Sequence, residues 1–217
     1  VAQHMCLCLL RLNRTREAFE LAGETVDFFR RSVGHRDSLA HSLVYQAEAA
    51  MLEGEFQVAD EMLREASFIL EEIGFTALAA MVRLKQAELY FANGQLEASL
   101  REARHVSDVF AEQEALPYLA RAALLQAQIL TAMRDTATAQ ELCKQAFDIA
   151  QGQGLLDLKY QCDYLLGMIA ELHSDMDAAA RYYDRAVREI EDVQSRLVLD
   201  ERASFLEDKG GVYQRAM

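Results

Sequence analysis

Apolar residues recur along the 217-residue chain with the 3.6-residue period of an amphipathic helix. Leu39, Leu43, Ala47, Ala50 and Met51 follow it, and so do Leu63, Ala66, Phe68, Ile69, Leu70 and Ile73. The elements this predicts come in pairs, an A helix followed by a B helix: 37–53 with 56–73, 76–93 with 96–113, 117–133 with 136–151, and 156–173 with 176–194. A partial pair, 1–12 with 15–33, precedes them, and one more helix is expected from about residue 201. Glycines mark helix ends, where a left-handed residue closes the last turn. Pro117 suits a first turn, because the N–H it lacks would have no helical partner there.

The pairs repeat. Gly34, Gly74 and Gly154 lie on a 40-residue comb, and Gly54 and Gly94 lie midway between its teeth, so the chain turns about every twenty residues. Ala18, Ala59, Ser99, Ala139 and Ala179 form a second comb, followed seven residues later by Thr25, Ala66, Val106, Ala146 and Ala186. Twelve residues before its members stand Cys6, Ala47, Ala87, Ala127 and Gly167. Three columns thus hold small residues, or at largest Val, through five copies. Small side chains where helices cross let the backbones approach to about 8 Å, as stacked hairpins require.

The string Gly54-Glu-Phe56-Gln-Val-Ala59, with Ala66 after it, resembles the tetratricopeptide repeat (TPR), and the likeness extends over nearly the whole chain. The familiar unit has about 34 residues. The 40-residue unit here resembles the lengthened TPR-like repeats of large bacterial regulators. HEAT repeats share that period but not this small-residue code, and usually carry a proline in the first helix. The resemblance implies an all-α fold, a right-handed α-solenoid of about five TPR-like hairpins over residues 1–194 whose first hairpin is partial.

Composition agrees with this reading and narrows the function. One proline, ten glycines and 52% hydrophobic residues suit a helical globular chain rather than a sandwich, a barrel or a disordered segment. With 22 basic against 35 acidic residues the net charge is −13, spread along the chain. That balance disfavours nucleic acid and anionic membranes, whose partners carry basic stripes. No apolar run approaches the roughly 20 residues of a membrane span, and VAQHMCLCLLRLNR has no cleavage site after its short apolar stretch. A cytoplasmic chain is expected.

Catalytic chemistry finds little support. Cys6, Cys8, Cys143 and Cys162 show no Cys-x-x-Cys spacing, and each shares a column with small or apolar residues, Tyr183 included, so they read as core hydrophobes. His4, His35, His41, His105 and His173 fall in five different columns and form no i, i+4 pair. Adjacent carboxylates such as Glu71 and Glu72 diverge by about 100° on a helix and suit solvated faces. There is no Gly-rich phosphate loop and no Gly-x-Ser-x-Gly elbow. The expectation is a non-catalytic chain without metal or cofactor.

Binding is the alternative. On the TPR pattern the A helices line the inner wall of a superhelix. The wall columns are His41, Met81, Arg121, Gln161; Val44, Leu84, Leu124, Tyr164; Glu48, Glu88, Gln128, Met168; and Met51, Phe91, Thr131, Glu171. Polar groups with Met, Phe and Tyr between them suit a peptide whose backbone and apolar side chains both need partners. The acidic balance points to a partner with basic residues, with self-association through the solenoid as a further contact. Only Arg121 and the nearby Lys85 could serve a basic two-carboxylate clamp, which disfavours binding of chaperone tails.

Residues 195–217 depart from the repeat. Arg202, the Ser204-Phe205-Leu206 triplet, Lys209 and Tyr213 resemble the segment that joins TPR arrays to CHAT domains, the caspase- and separase-related protease modules. Gly210 and Gly211 depart from that resemblance and weaken helix continuity. The resemblance implies that residues 195–217 form a C-terminal helix leading towards a downstream protease domain, with catalytic His and Cys beyond residue 217. The chain, which opens inside a helix at Val1, then reads as an excised recruiting or regulatory region. The competing resemblance is to the 40-residue repeats of large LuxR-type transcriptional regulators, in which a similar superhelix binds a small inducer and governs oligomerisation. Gln46-Ala47-Glu48 and Gln86-Ala87-Glu88 match it, whereas Ser204-Phe205-Leu206 does not.

Overall fold

The computed structural model describes the backbone of residues 2–196, their side chains as far as Asp192, and Arg215. Among the described residues there are ten helices and no strand: α1 (Ala2–Arg11), α2 (Thr15–Arg31), α3 (Arg36–Leu52), α4 (Phe56–Glu72), α5 (Thr76–Ala92), α6 (Leu96–Glu112), α7 (Leu116–Ala132), α8 (Thr136–Gln153), α9 (Leu156–Leu172) and α10 (Met176–Arg196). Each predicted helix within this range is present, with ends that agree to within two residues. The helix expected from about residue 201 and the segment carrying Arg202, Ser204-Phe205-Leu206, Lys209 and Tyr213 lie outside the described residues. No described helix is long and apolar enough to cross a membrane.

Successive helices pack as antiparallel hairpins in two compact units, Val1–Gln113 with α1–α6 and Glu114–Met217 with α7–α10. One device makes the turns. After α3, Gly54 at φ 81° lets its N–H reach Met51 O at 3.1 Å, while the Glu55 N–H reaches Ala50 O at 2.9 Å. These two bonds satisfy carbonyls that a helix end would otherwise leave open. The same pair recurs after α7, where the left-handed residue is Arg134 at φ 70°. Glu114 and Ser174 also take positive φ, at 53° and 61°. The twenty-residue period therefore runs unbroken in the backbone from position 34 to 174, and glycine occupies only some of its teeth.

The small columns lie where helices cross. In the first unit Cys6, Ala47 and Ala87, with Ala18, Ala59 and Ser99, are fully buried. Ser99 is tolerated because its hydroxyl donates to Ala87 O at 2.6 Å. Around them Leu43, Leu63, Leu70, Val82 and Leu89 form one apolar core. In the second unit the column ends in Gly167, where an added Cβ would come within 2.4 Å of Tyr183 Cε1. Tyr183 stands in the column that holds Leu63, Ala103 and Cys143 in the earlier hairpins. A large ring on α10 is thus matched by a missing methyl on α9, which conserves volume at a packed crossing.

Two sequence expectations change. Phe68 is 58% exposed on α4 rather than part of the core. Cys8 is also exposed, whereas Ala49, Leu89, Ile129 and Ile169 of its column are buried. The other three cysteines are buried as expected.

Candidate functional site

In the first unit the A helices α1, α3 and α5 jointly line one pocket of about 250 Å³. Its walls are Leu10, Glu48, Met51, Leu52, Lys85 and Glu88. Three of the residues assigned to the wall from sequence, Glu48, Met51 and Glu88, meet there. Lys85 Nζ pairs with Glu48 Oε1 and occupies that carboxylate in part, while Glu88 is exposed. Leu52 adds an apolar surface that is 61% exposed. The result is an apolar floor with a charged rim, large enough for one long side chain.

The remaining wall residues differ in depth. Val44, Met81 and Phe91 are half-buried and His41 is exposed. Leu84 at 4% and Thr131 at 7% exposure lie between helices, and the Thr131 hydroxyl already donates to Ala127 O at 2.8 Å. Leu124, at 3%, is likewise core. These three therefore offer no surface to a ligand, because their side chains fill the seam between neighbouring helices.

In the second unit Arg121 is exposed and pairs with Asp157 at 2.9 Å, while Gln128, Gln161 and Met168 are half-buried. Tyr164 packs its ring 5.8 Å from that of Tyr183. Glu171 pairs with Arg215. Leu10, Leu52 and Arg215 lie outside the wall columns that the repeat defines. Leu52 had a signal, since a leucine directly after the last wall column leaves an apolar side chain at the open end of α3.

The second unit also holds a buried charge network. Asp163, fully buried, accepts two bonds from Arg185, whose Nε lies 3.0 Å from Oδ2 and whose guanidinium stacks 5.2 Å from the rings of Phe147 and Tyr182. Lys159 Nζ binds Glu189 Oε1 at 2.6 Å, and Glu189 Oε2 is buried without a hydrogen-bond partner. Burial pushes both carboxyl groups above their ordinary range, with the paired cations opposing it. Cys143 Sγ donates to Cys162 O at 3.3 Å. The side-chain hydrogen bond with Cys143 and burial push the Cys162 thiol strongly up, so no thiolate is poised at Cys162. The network fastens α9 to α10 and α8, with Asp163 sealed from water at its centre and Arg185 reaching the surface.

No protein-family model matches the sequence, and no curated protein gives a significant match. Solved structures do match. BtubC (BKLC) from P. vanneervenii superposes with a TM-score of 0.74 at 20% identity, over 93% of this chain and 84% of that one. A putative kinesin light chain of Podosopora anserina, with nearly identical TPR-like repeats, gives 0.68 at 17% identity over 89% and 95%. The apo form of RapI gives 0.77 at 13% identity over 99% and 77%. Identities this low speak for architecture alone, and with the ten helices and their repeated turns they show an all-α solenoid of TPR-like hairpins.

Proposed function

We propose that this chain is a non-catalytic scaffold that binds a protein or peptide segment on the A-helix wall of its first unit, and that it acts as the recruiting region of a larger TPR–CHAT protein. The pocket between Leu10, Met51, Leu52, Glu48, Lys85 and Glu88 carries the binding part of this reading. The likeness of residues 195–217 to the segment before CHAT domains supports the rest.

Magnitudes identify the side chain that fits. A lysine or arginine stem laid on Leu10, Met51 and Leu52 buries about 100 Å² of apolar surface, which contributes about 2.5 kcal/mol. A head group reaching Glu88 adds about 0.2–1 kcal/mol, as exposed ion pairs do, and salt screens it over about 8 Å. Apolar contact therefore sets the affinity and charge sets the preference for a basic head. The test is to isolate the partner and compare its affinity for wild type, Leu52→Ala, Glu88→Lys and Arg104→Glu, the last an exposed change on α6. Weaker binding in the first two variants supports the reading. Binding unchanged in both and lost in Arg104→Glu sinks it.

A further inference from the structure

The wall of the second unit already holds a side chain of defined chemistry. The Arg215 guanidinium pairs with the Glu171 carboxylate, its Nη1 lies 3.4 Å from the Tyr183 hydroxyl, and its carbon lies 6.0 Å from the centre of the Tyr164 ring. The two tyrosine rings stand 5.8 Å apart at 47°, so one ring and one hydroxyl lie beside the same cation. Tyr183 cannot swing away, being 1% exposed and wedged against Gly167. Glu171 and Arg215 keep 33% and 39% of their side chains in solvent, so the contact can open without unfolding the hairpin.

We propose that Tyr164, Glu171 and Tyr183 form an arginine-recognition cradle, occupied in this chain by its own Arg215, which an arginine of a bound partner must displace. The geometry selects a guanidinium over an ammonium. Nη1 carries two N–H groups, one for the Glu171 carboxylate and one for the Tyr183 hydroxyl, and the delocalised, weakly hydrated guanidinium suits the neighbouring Tyr164 ring better than a compact, strongly hydrated ammonium. Arg215 is tethered to the same chain, so it competes at a fixed effective concentration and lowers the apparent affinity for any partner arginine. Two of the three cradle residues belong to the wall columns, so the inference deepens the proposed wall-binding function and rests on it. It concerns a different unit from the pocket at Glu88.

The probe is acetyl-Gly-Arg-Gly-amide, with the lysine tripeptide as control, titrated into the 217-residue chain while tyrosine ring resonances are followed. Arg215→Ala is expected to tighten the arginine tripeptide about fivefold or more, the size set by an exposed ion pair and a cation–π contact together. The lysine tripeptide gains less, and adding Glu171→Gln to Arg215→Ala removes the gain. The Arg215 Nε–H resonance, identified by its loss in Arg215→Lys, is expected to shift in Glu171→Gln. Equal affinity with and without Arg215, no binding to Arg215→Ala, or an Arg215 resonance indifferent to Glu171→Gln each overturns the cradle. None of these outcomes touches the effect of Glu88→Lys on partner binding, so failure here is separable from failure of the wall reading.

Discussion

Truncating Arg185 to Ala should cost far more than neutralising its partner by Asp163→Asn, although both changes break the same ion pair. Asp163 has no solvent access, whereas 47% of the Arg185 side chain remains in water. Without Arg185 the carboxylate either stays charged in the core, at several kcal/mol, or takes up a proton. From an unfolded carboxylate value of about 3.9, protonation at about pH 7 costs about 4 kcal/mol, at about 1.4 kcal/mol per unit. The cheaper route caps the penalty, and Lys159, one turn away on α9, trims it, so we expect a loss of about 3 kcal/mol. Asp163→Asn keeps the shape and leaves Arg185 hydrated and stacked on Phe147 and Tyr182, for about 1 kcal/mol. The sign with pH follows. A carboxyl whose folded pKa lies above its unfolded value adds stability at low pH and loses it as pH rises from the unfolded towards the folded value. Arg185→Ala should therefore regain up to about 1.4 kcal/mol per unit as pH falls from about 7 towards 5. The double variant with Asp163→Asn should regain none of this. Urea melts followed by far-UV circular dichroism read both quantities. Equal costs for the two single variants, or no recovery in acid, would refute the claim that Asp163 is sealed from water.

The packing columns and turns make further expectations. Gly167→Ala should cost about 1–3 kcal/mol despite the better helix propensity of alanine, because Tyr183 blocks the methyl, and Tyr183→Cys should relieve the clash by restoring the pairing of Ala127 with Cys143; a thermal melt in which Gly167→Ala is neutral contradicts this. Replacing Glu114, Arg134 or Ser174 by Gly should stabilise by about 0.5–1 kcal/mol each, since a side chain at positive φ costs about 1–2 kcal/mol and glycine returns part of that as entropy. Ala87→Leu or Ala127→Leu should lose about 1–3 kcal/mol and His105→Ala, on an exposed position, under about 0.5, so equal melting shifts at the three would mean that the columns are misassigned.

Much of this architecture was readable because it repeats. A column that stays small through Ala47, Ala87 and Ala127 can only be a crossing, and the periodicity around it leaves one register for each helix. The turn comb was half visible, since Glu114, Arg134 and Ser174 carry the left-handed conformation with side chains that give no turn signal. Columns fix the face a residue occupies but not its depth, which is why Leu84 and Thr131 appeared beside Glu48 and Glu88 although they fill the seam between helices. The contacts that pass between columns were hidden. Asp163 with Arg185 occupies the same two columns as Arg83 with His105, whose nitrogens lie 2.9 Å apart, yet the residue types differ too much for the likeness to show. Arg215 reaches Glu171 across 44 residues, a separation at which sequence carries no spatial hint.

The central claim, that a partner lies on the A-helix wall of the first unit, is tested most directly by photo-cross-linking. A photoreactive residue is placed at position 52 on α3, facing the pocket, and in a second preparation at position 104 on α6, away from it, and each is irradiated with the partner present. A covalent adduct is expected from position 52, suppressed by unlabelled partner, and none from position 104. Adducts from position 104 alone would contradict it.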